Sequence, residues 1–405
     1  MYSGTSMEDQ LRRLTRTGRP ARPRVLVVTH LFPSAHAPMR GPWVAEQVDA
    51  LRVHADVDVL CCTPGASEPP TVRPSGARVT YANTATLLGA GRVGLFGSTI
   101  RYAYALRRHL KANPGRYDLL HAHFGFPDAF VASRAAHRTG MPLIVTLHGD
   151  DALRVMPRRD LIGRVVRSGI EAAQIIICVS DAMAKVVRPL LPYADVRVVV
   201  NGFDDSLFRV VNAERDLGIL FVGLLVPVKN VDLLLRAYAR VRGQVRMPLT
   251  IVGDGRLRSG LAALAAELGI TDTVSFLGYR SREEVASLMQ RARLLALPST
   301  SEGYPLVVAE ALACGTPVVA SRIGGIPDIV VSPQAGTLIT PGDIESLSLA
   351  LADWATADVN PGVVATSSGA LPWSKRVVPI AQAYSDAALL VSSGRGSSTW
   401  RLGPD

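Results

Sequence analysis

What the chain lacks already narrows its class. It has four cysteines in 405 residues (Cys61, Cys62, Cys178, Cys314) and no CxxC pair. That is too little for a disulfide framework and gives no zinc signature. Mean hydropathy is high, +0.21, yet no uninterrupted apolar run approaches the ~18 residues of a membrane span. The first residues carry Glu8, Asp9 and then several arginines, without the apolar stretch of a secretory signal. Charged residues are only 19 % against 48 % hydrophobic, the reverse of a disordered chain. Lysine is scarce, at four of the 44 basic residues. A reduced, cytoplasmic setting is expected.

The net charge is +10 and unevenly spread. Residues 1–200 hold 26 Lys and Arg against 15 Asp and Glu, whereas residues 201–405 hold 18 against 19. All the excess lies in the first half. Such asymmetry suits a surface that meets anions, whether nucleic acid, anionic lipid or a phosphorylated substrate. Arginine bias from a GC-rich genome is the bland alternative.

Length predicts two or three domains. Residues 1–23, rich in arginine with Pro20 and Pro23, read as a flexible leader. Short β-branched runs then alternate with amphipathic stretches. Strands are expected at 24–30, 57–61, 119–122, 143–147, 175–179 and 196–200, with helices at 43–52, 98–111, 128–138, about 159–173, and from the N-cap Ser180 to about 190. Residues 201–217 lose all periodicity. The alternation restarts with strands at 220–222, 249–252, 274–277, 294–297 and 317–320 and helices at 231–241, 257–268, 282–291 and 305–313. Residues 355–371 show no clear period, and a last helix is expected at about 373–391. Strands alternating with helices define an α/β chain with parallel sheets. The organisation expected is a first doubly wound domain over 24–205, a second over 206–371, and a C-terminal helix at 372–395 returning to the first. Ligands bind at the carboxyl ends of such strands, so two such sheets suggest a site in the cleft between them.

The most informative segment runs from Pro298 to Asp328 and holds Glu302, Gly303, Tyr304 and Pro305, then Glu310, Gly315, and Gly324-Gly325. It reads as strand end, glycine loop, helix, turn and strand. A helix beginning near Pro305 offers unpaired N–H donors and partial positive charge to a phosphate. A carboxylate accepts paired bonds from vicinal hydroxyls, so Glu302 and Glu310 suit two polyols flanking a diphosphate. Alone, two glutamates eight apart mean almost nothing, and read first as a helix-dipole partner and a solvated helix residue.

With its neighbours the segment resembles the E-x7-E region of retaining GT-B glycosyltransferases of the family 4 type. The resemblance runs from Val25 to about Val331. Arg40-Gly41 resembles the family's N-terminal glycine loop, and Leu120–His123 and Val145–Asp150 its two histidine segments. Val179-Ser180 and Val200–Asp204 resemble the pieces before the hinge. Phe221–Lys229 resembles the first strand and phosphate loop of the second domain, followed by Ile251–Gly255 and Phe276–Arg280. The resemblance implies two Rossmann-like doubly wound domains facing across a cleft, the first taking an acceptor and the second a nucleotide-sugar donor. Glu302 would contact donor-sugar hydroxyls, Glu310 the ribose, and Lys229 the diphosphate. Backbone amides of Leu306, Val307 and Gly41 would add donors beside Gly303, Tyr304 and Pro305. Gly278, Tyr279 and Arg280 would lie by the base. His148 would approach the reacting centre, so His148, Lys229 and Glu302 form the expected catalytic set. Arg40, Asp150 and Asp151 are the acceptor-side candidates.

Two positions depart from the family pattern. Leu224 stands where an Arg is common, and Asn230 where a Gly follows the lysine. The expected pair of cations is reduced to Lys229, with Arg40 a candidate for the second. The glycine loop also shows one glycine rather than two. Gly253-x-Gly255 lacks the third glycine of a dinucleotide fingerprint and reads as a strand-to-helix turn. His121 and His123 read as packing residues. The arginines at 158, 159, 164 and 167 read as a solvated face or, with an anionic or lipid-linked acceptor, as contact with a membrane surface. The resemblance thus implies a retaining transferase needing no metal or other cofactor and a hydroxyl acceptor, and no nucleic-acid partner. It suits surface-polysaccharide, glycolipid or natural-product glycoside synthesis. A sugar-nucleotide epimerase or hydrolase of the same fold is the alternative, with a basic lipid- or nucleic-acid-binding protein behind it.

Overall fold

The structure, a computed structural model, describes residues 22–37, 40–65, 68–85, 92–245 and 247–392. Nearly all of the expected leader lies outside the described residues. The first sheet opens on β1 (Arg24–Thr29), then helix α1 (Pro42–Leu51), β2 (Asp56–Thr63), β3 (Thr71–Val72), β4 (Arg78–Asn83), helix α2 (Arg92–Ala112) and β5 (Leu119–His123). Helix α3 (Phe130–Thr139), β6 (Leu143–Leu147), helix α4 (Leu161–Glu171), β7 (Ile175–Cys178), helix α5 (Asp181–Leu190) and β8 (Asp195–Val198) follow. The strand order is β3-β4-β2-β1-β5-β6-β7-β8. β1 and β6 read as near-continuous apolar runs, as expected of a parallel sheet covered on both faces, and apart from Arg24 every residue in β1, β5 and β6 is buried, His121 and His123 included.

The second sheet is built from β9 (Ile219–Val222), α6 (Val231–Val245), β10 (Leu249–Val252), α7 (Arg258–Glu267), β11 (Val274–Gly278), α8 (Arg282–Arg291), β12 (Leu294–Leu297), α9 (Leu306–Ala313), β13 (Val318–Ser321) and β14 (Gly336–Ile339). Helices α10 (Ile344–Thr356), α11 (Pro361–Thr366) and α12 (Trp373–Ser392) complete the described chain. Its strands run β11-β10-β9-β12-β13-β14 with every neighbouring pair parallel. Numbered within this sheet, that is the 3-2-1-4-5-6 order of a dinucleotide-binding fold. Contacts divide the described residues into two compact units, those up to 146 with 165–176 and those from 377 on, and those of 147–164 with 177–376.

Expected and observed elements differ where a local signal misled. The expected helix at 128–138 starts at Phe130, after a wide turn over Gly125–Ala129. Strand β4 escapes notice because only Val79 of its six residues is buried. The stretch without a clear period, 355–371, holds the end of α10 and all of α11, which is capped by the Asn360 side chain. Ser180 does cap α5, accepting the Met183 N–H.

Candidate active site

In a doubly wound sheet the loops diverge where strand order reverses, and that crevice takes the ligand. In the second sheet the reversal lies between β9 and β12. The loop after β9 carries Lys229 at the end of a short 3-10 turn, Pro227–Lys229. The loop after β12 carries Glu302. The Thr300 N–H donates to the Val228 carbonyl at 2.8 Å, which zips the two loops together. Lys229 Nζ then lies 2.6 Å from Glu302 Oε1, with both side chains mostly buried. Asn230 adopts φ 53. Asn adopts this left-handed conformation more readily than most residues other than Gly, which fits its place where a glycine is expected.

Backbone contacts position Glu302. A Cβ on Gly303 would sit 2.3 Å from the His148 carbonyl oxygen. A Cβ on Gly324, at φ +52, would sit 2.0 Å from the Glu302 carbonyl oxygen. The Gly325 N–H donates to the Gly303 carbonyl at 2.9 Å. Three glycines therefore let three chain segments touch at the backbone, with His148 and Glu302 among them. Asp151 shapes the His148 segment from below. Its Oδ1 accepts the Gly149 and Ala152 N–H groups, each at 2.9 Å. Asp150 is exposed and 3.8 Å from Arg154.

Helix α9 begins at Leu306 with Pro305 as its N-cap. The N–H groups of Leu306 and Val307 fall at the start of the helix, where intrahelical partners are missing. The Tyr304 ring is buried, and burial pushes its hydroxyl up to about 12. Ser299 Oγ, fully buried at the head of the same loop, has no hydrogen-bond partner among the described residues, an exception that calls for a reason. Farther along α9, Glu310 is buried and accepts from Arg282 at 3.0 Å. Burial raises its carboxyl above the usual range, and Arg282 opposes that shift. Arg282 itself lies at the start of α8, behind the Ser281–Glu284 capping box, with its guanidinium 5.0 Å from the Phe208 ring centroid.

Gly278 ends β11, and Tyr279 and Arg280 follow it, two places along the sheet from β9. Gly278 has φ +68, and a Cβ there would meet Arg258 at 2.8 Å. Tyr279 is half exposed, and Arg280 donates to the Tyr279 carbonyl. Gly253 and Gly255 are the strand-to-helix turn, and their missing side chains admit the carbonyls of Gly223 and Leu225.

The remaining expected residues lie in the first unit. Arg40 and Gly41 end the connection after β1, and Gly41 starts α1 at φ 70 with Leu31 too close for any Cβ. The first sheet reverses between β1 and β5. There a cluster occurs that sequence reasoning missed. The fully buried Asp128 lies 2.5 Å from His30 Nδ1 and accepts the Tyr102 hydroxyl at 2.6 Å. The sequence signal for it was weak: His30 merely ended a strand run, 98 residues from its partner. His121 is buried between the Tyr384 hydroxyl (2.8 Å) and Thr146 Oγ1 (2.7 Å). Burial drops its imidazole to about 3, so it is a neutral packing residue. Among the described residues no group of three or more His, Cys, Asp or Glu is placed to hold a metal ion.

Two parallel-sheet α/β domains, the second with its glycine-clamped loop at the switch point, define the class as GT-B glycosyltransferases. Comparison with known proteins agrees. The Glycosyltransferase Family 4 model matches residues 43–207 and the Glycosyl transferases group 1 model matches residues 203–359. The D-inositol 3-phosphate glycosyltransferase of Mycolicibacterium smegmatis is 32 % identical over 330 residues, 74 % of this chain and 72 % of that protein. The N-acetyl-alpha-D-glucosaminyl L-malate synthase of Bacillus anthracis is 30 % identical over 56 % of this chain and 62 % of that protein. Among solved structures, Anabaena HepE in complex with UDP and glucose superposes with a TM-score of 0.69 at 21 % identity, covering 90 % of this chain and 100 % of that one. The chain belongs to the family 4, group 1 glycosyltransferases.

Proposed function

We propose that this glycosyltransferase moves a sugar from a nucleoside diphosphate sugar to a hydroxyl acceptor, with retention at the anomeric carbon and without a metal ion. The observation that carries the reading is the Lys229–Glu302 pair at the second sheet's switch point, directly ahead of the α9 N-terminus. A diphosphate oxygen competes with Glu302 for Lys229 Nζ, and the α9 N–H groups add donors for the same anion. Released from the lysine, Glu302 accepts sugar hydroxyls, and Glu310 is positioned for the ribose. The leaving diphosphate takes the acceptor's proton on the face it departs from, while the protein supplies positioning and electrostatic stabilisation. We read the acceptor onto the first unit, whose own switch point carries His30 held by Asp128 and Tyr102. The relatives named for inositol phosphate and malate make small anionic hydroxyl compounds the first acceptors to try. The excess positive charge of the first half supports an anionic acceptor or a lipid surface.

The test is a panel of nucleotide sugars assayed by thermal shift, since a ligand that binds only the native state raises the melting temperature. At least one should stabilise the protein, and Glu310→Ala should weaken that shift. Transfer of its sugar should then yield a product of unchanged anomeric configuration by NMR and should survive chelation with EDTA. A panel without any stabiliser overturns the donor reading. An inverted product, or activity that EDTA removes and Mg²⁺ or Mn²⁺ restores, overturns the corresponding part.

A further inference from the structure

Among the described residues, helix α2 joins a run of cations to exposed apolar side chains. Its 21 residues include five Lys or Arg and no Asp or Glu. Tyr102 and Leu106 anchor one side in the core, and the Tyr102–Asp128 bond fixes its rotation. The opposite side carries Phe96, Ile100 and Tyr104, 70 %, 55 % and 67 % exposed and one helical turn apart. Arg101, Arg107, Arg108 and Lys111 are exposed on the same half. At 3.6 residues per turn these seven positions share one broad face. A groove of about 730 Å³ runs beside it, lined by Ile100, Arg101, Tyr104 and Arg108 of the helix and by Tyr81 and Asn83 of β4.

Single exposed apolar residues need no explanation, but a stripe of three large ones marks an interaction surface. Interleaving with cations and the absence of acids select the partner. An aromatic and aliphatic stripe flanked by arginines is the composition that lies in a lipid headgroup layer, and anionic headgroups attract such cations. Helix α4 is another basic candidate, but its Arg164 and Arg167 are accompanied by Glu171, and just ahead of it Arg158 is paired with Asp160.

We propose that α2 is a docking face for an anionic lipid bilayer. Phe96, Ile100 and Tyr104 enter the headgroup–acyl boundary, and Arg101, Arg107, Arg108 and Lys111 meet lipid phosphates. The proposal rests on the lipid-surface reading above and commits it to one helix. No helix among the described residues is long and apolar enough to cross a membrane, so the contact is at the surface.

The test is co-sedimentation of the full chain with vesicles of phosphatidylcholine alone or mixed with phosphatidylglycerol, with no sugar donor or acceptor present. Wild type should bind only the mixed vesicles, less at high salt. The variants F96S/I100S/Y104S and R101Q/R107Q/R108Q should each bind about tenfold less. R159Q/R164Q on and beside α4 should bind as wild type does. Thermal unfolding checks that each variant is folded. If the apolar variant unfolds, the basic one, altered only at exposed positions, still decides. Absence of wild-type binding, or equal binding to both vesicles, overturns the lipid-surface reading itself. Full binding by both α2 variants with loss in R159Q/R164Q leaves that reading standing and overturns α2. Because no transfer is measured, failure of the glycosyl-transfer reading would leave these results unchanged.

Discussion

Each sheet reverses its strand order once, and the two reversals are furnished differently. Between β1 and β5 the first unit buries a carboxylate, Asp128, beneath His30 and Tyr102. Between β9 and β12 the second unit sets Lys229 against Glu302, each with some solvent access. The first arrangement is a rigid support, because Asp128 has no route to water and its partners are tied to it. On the proposed function the second is exchangeable, since an arriving diphosphate would take over the lysine and free the glutamate. The contrast extends beyond the crevices. The first unit keeps His121 and Tyr384 neutral inside and displays its cations on helices such as α2. The second brings opposite charges inward, as Arg282 and Glu310 also show.

The largest effect expected is on stability, and it tests whether the first interior is built against charge. His121 falls to about 3 in the fold, whereas an unfolded histidine titrates near 6.5. Below about pH 6.5 the unfolded chain therefore binds a proton that the native state refuses. Stability present above that pH is lost as pH falls toward 3. Each tenfold loss of proton affinity is worth ~1.4 kcal/mol, so several kcal/mol are at stake. His121→Phe lowers stability near neutral pH, because the Tyr384 and Thr146 hydroxyls lose their partner. It should also flatten the acid slope in urea unfolding measured from pH 7 to 4. Parallel slopes for the two proteins would remove His121 from the account.

The next effect tests whether the second site depends on backbone contact. Gly303→Ala places a methyl against the His148 carbonyl, at a distance no real Cβ shows. The loop must shift by about an ångström, and misplacement on that scale costs roughly 100-fold in rate. The acceptor-independent readout is donor binding by thermal shift, which should weaken in parallel. Gly362→Ala, against only the Asn360 side chain at 3.3 Å, is the control and should cost little. Lys229→Ala ranks below it. On the proposed function it removes one stabiliser of the leaving diphosphate and should lower turnover about tenfold without unfolding the chain. Glu310→Ala should match it through lost ribose contact. Wild-type turnover in either variant contradicts the site assignment.

The parts of the site visible in the sequence are those that local chemistry writes in consecutive residues. Pro298–Gly315 spells strand end, glycine loop, helix and turn without interruption, so Glu302, Gly303 and Glu310 could be placed relative to one helix. Ser180 is legible as a cap for the same reason. The pairings were not legible, because they join residues far apart in the chain. Lys229 and Glu302 are 73 residues apart, Arg282 and Glu310 28, His30 and Asp128 98. Gly303 was legible as part of a donor-binding glycine loop; the steric demand for glycine there comes from the His148 carbonyl, reached only through the fold. Strand β4 and the groove beside α2 were hidden because a half-exposed strand shows no clean alternation.

The smallest effect concerns the residue at which this chain leaves the family pattern. Leu224 is 65 % exposed and lies between Gly223, whose N–H donates to Val252, and Leu225, whose N–H donates to Asp254. The backbone is held on both sides while the side chain projects outward, so Leu224→Arg needs no repacking. The new guanidinium sits in the loop that carries Lys229 and adds a cation for a diphosphate. Because it is solvated, its worth is that of an exposed ion pair, under about 1 kcal/mol. Donor KM should fall about threefold, with kcat nearly unchanged and the gain fading at high salt. An unchanged KM would mean that position 224 does not reach the diphosphate. A rise in kcat would mean that charge there acts on the leaving group in the transition state, which would make the exchangeable pair of the second unit an incomplete clamp.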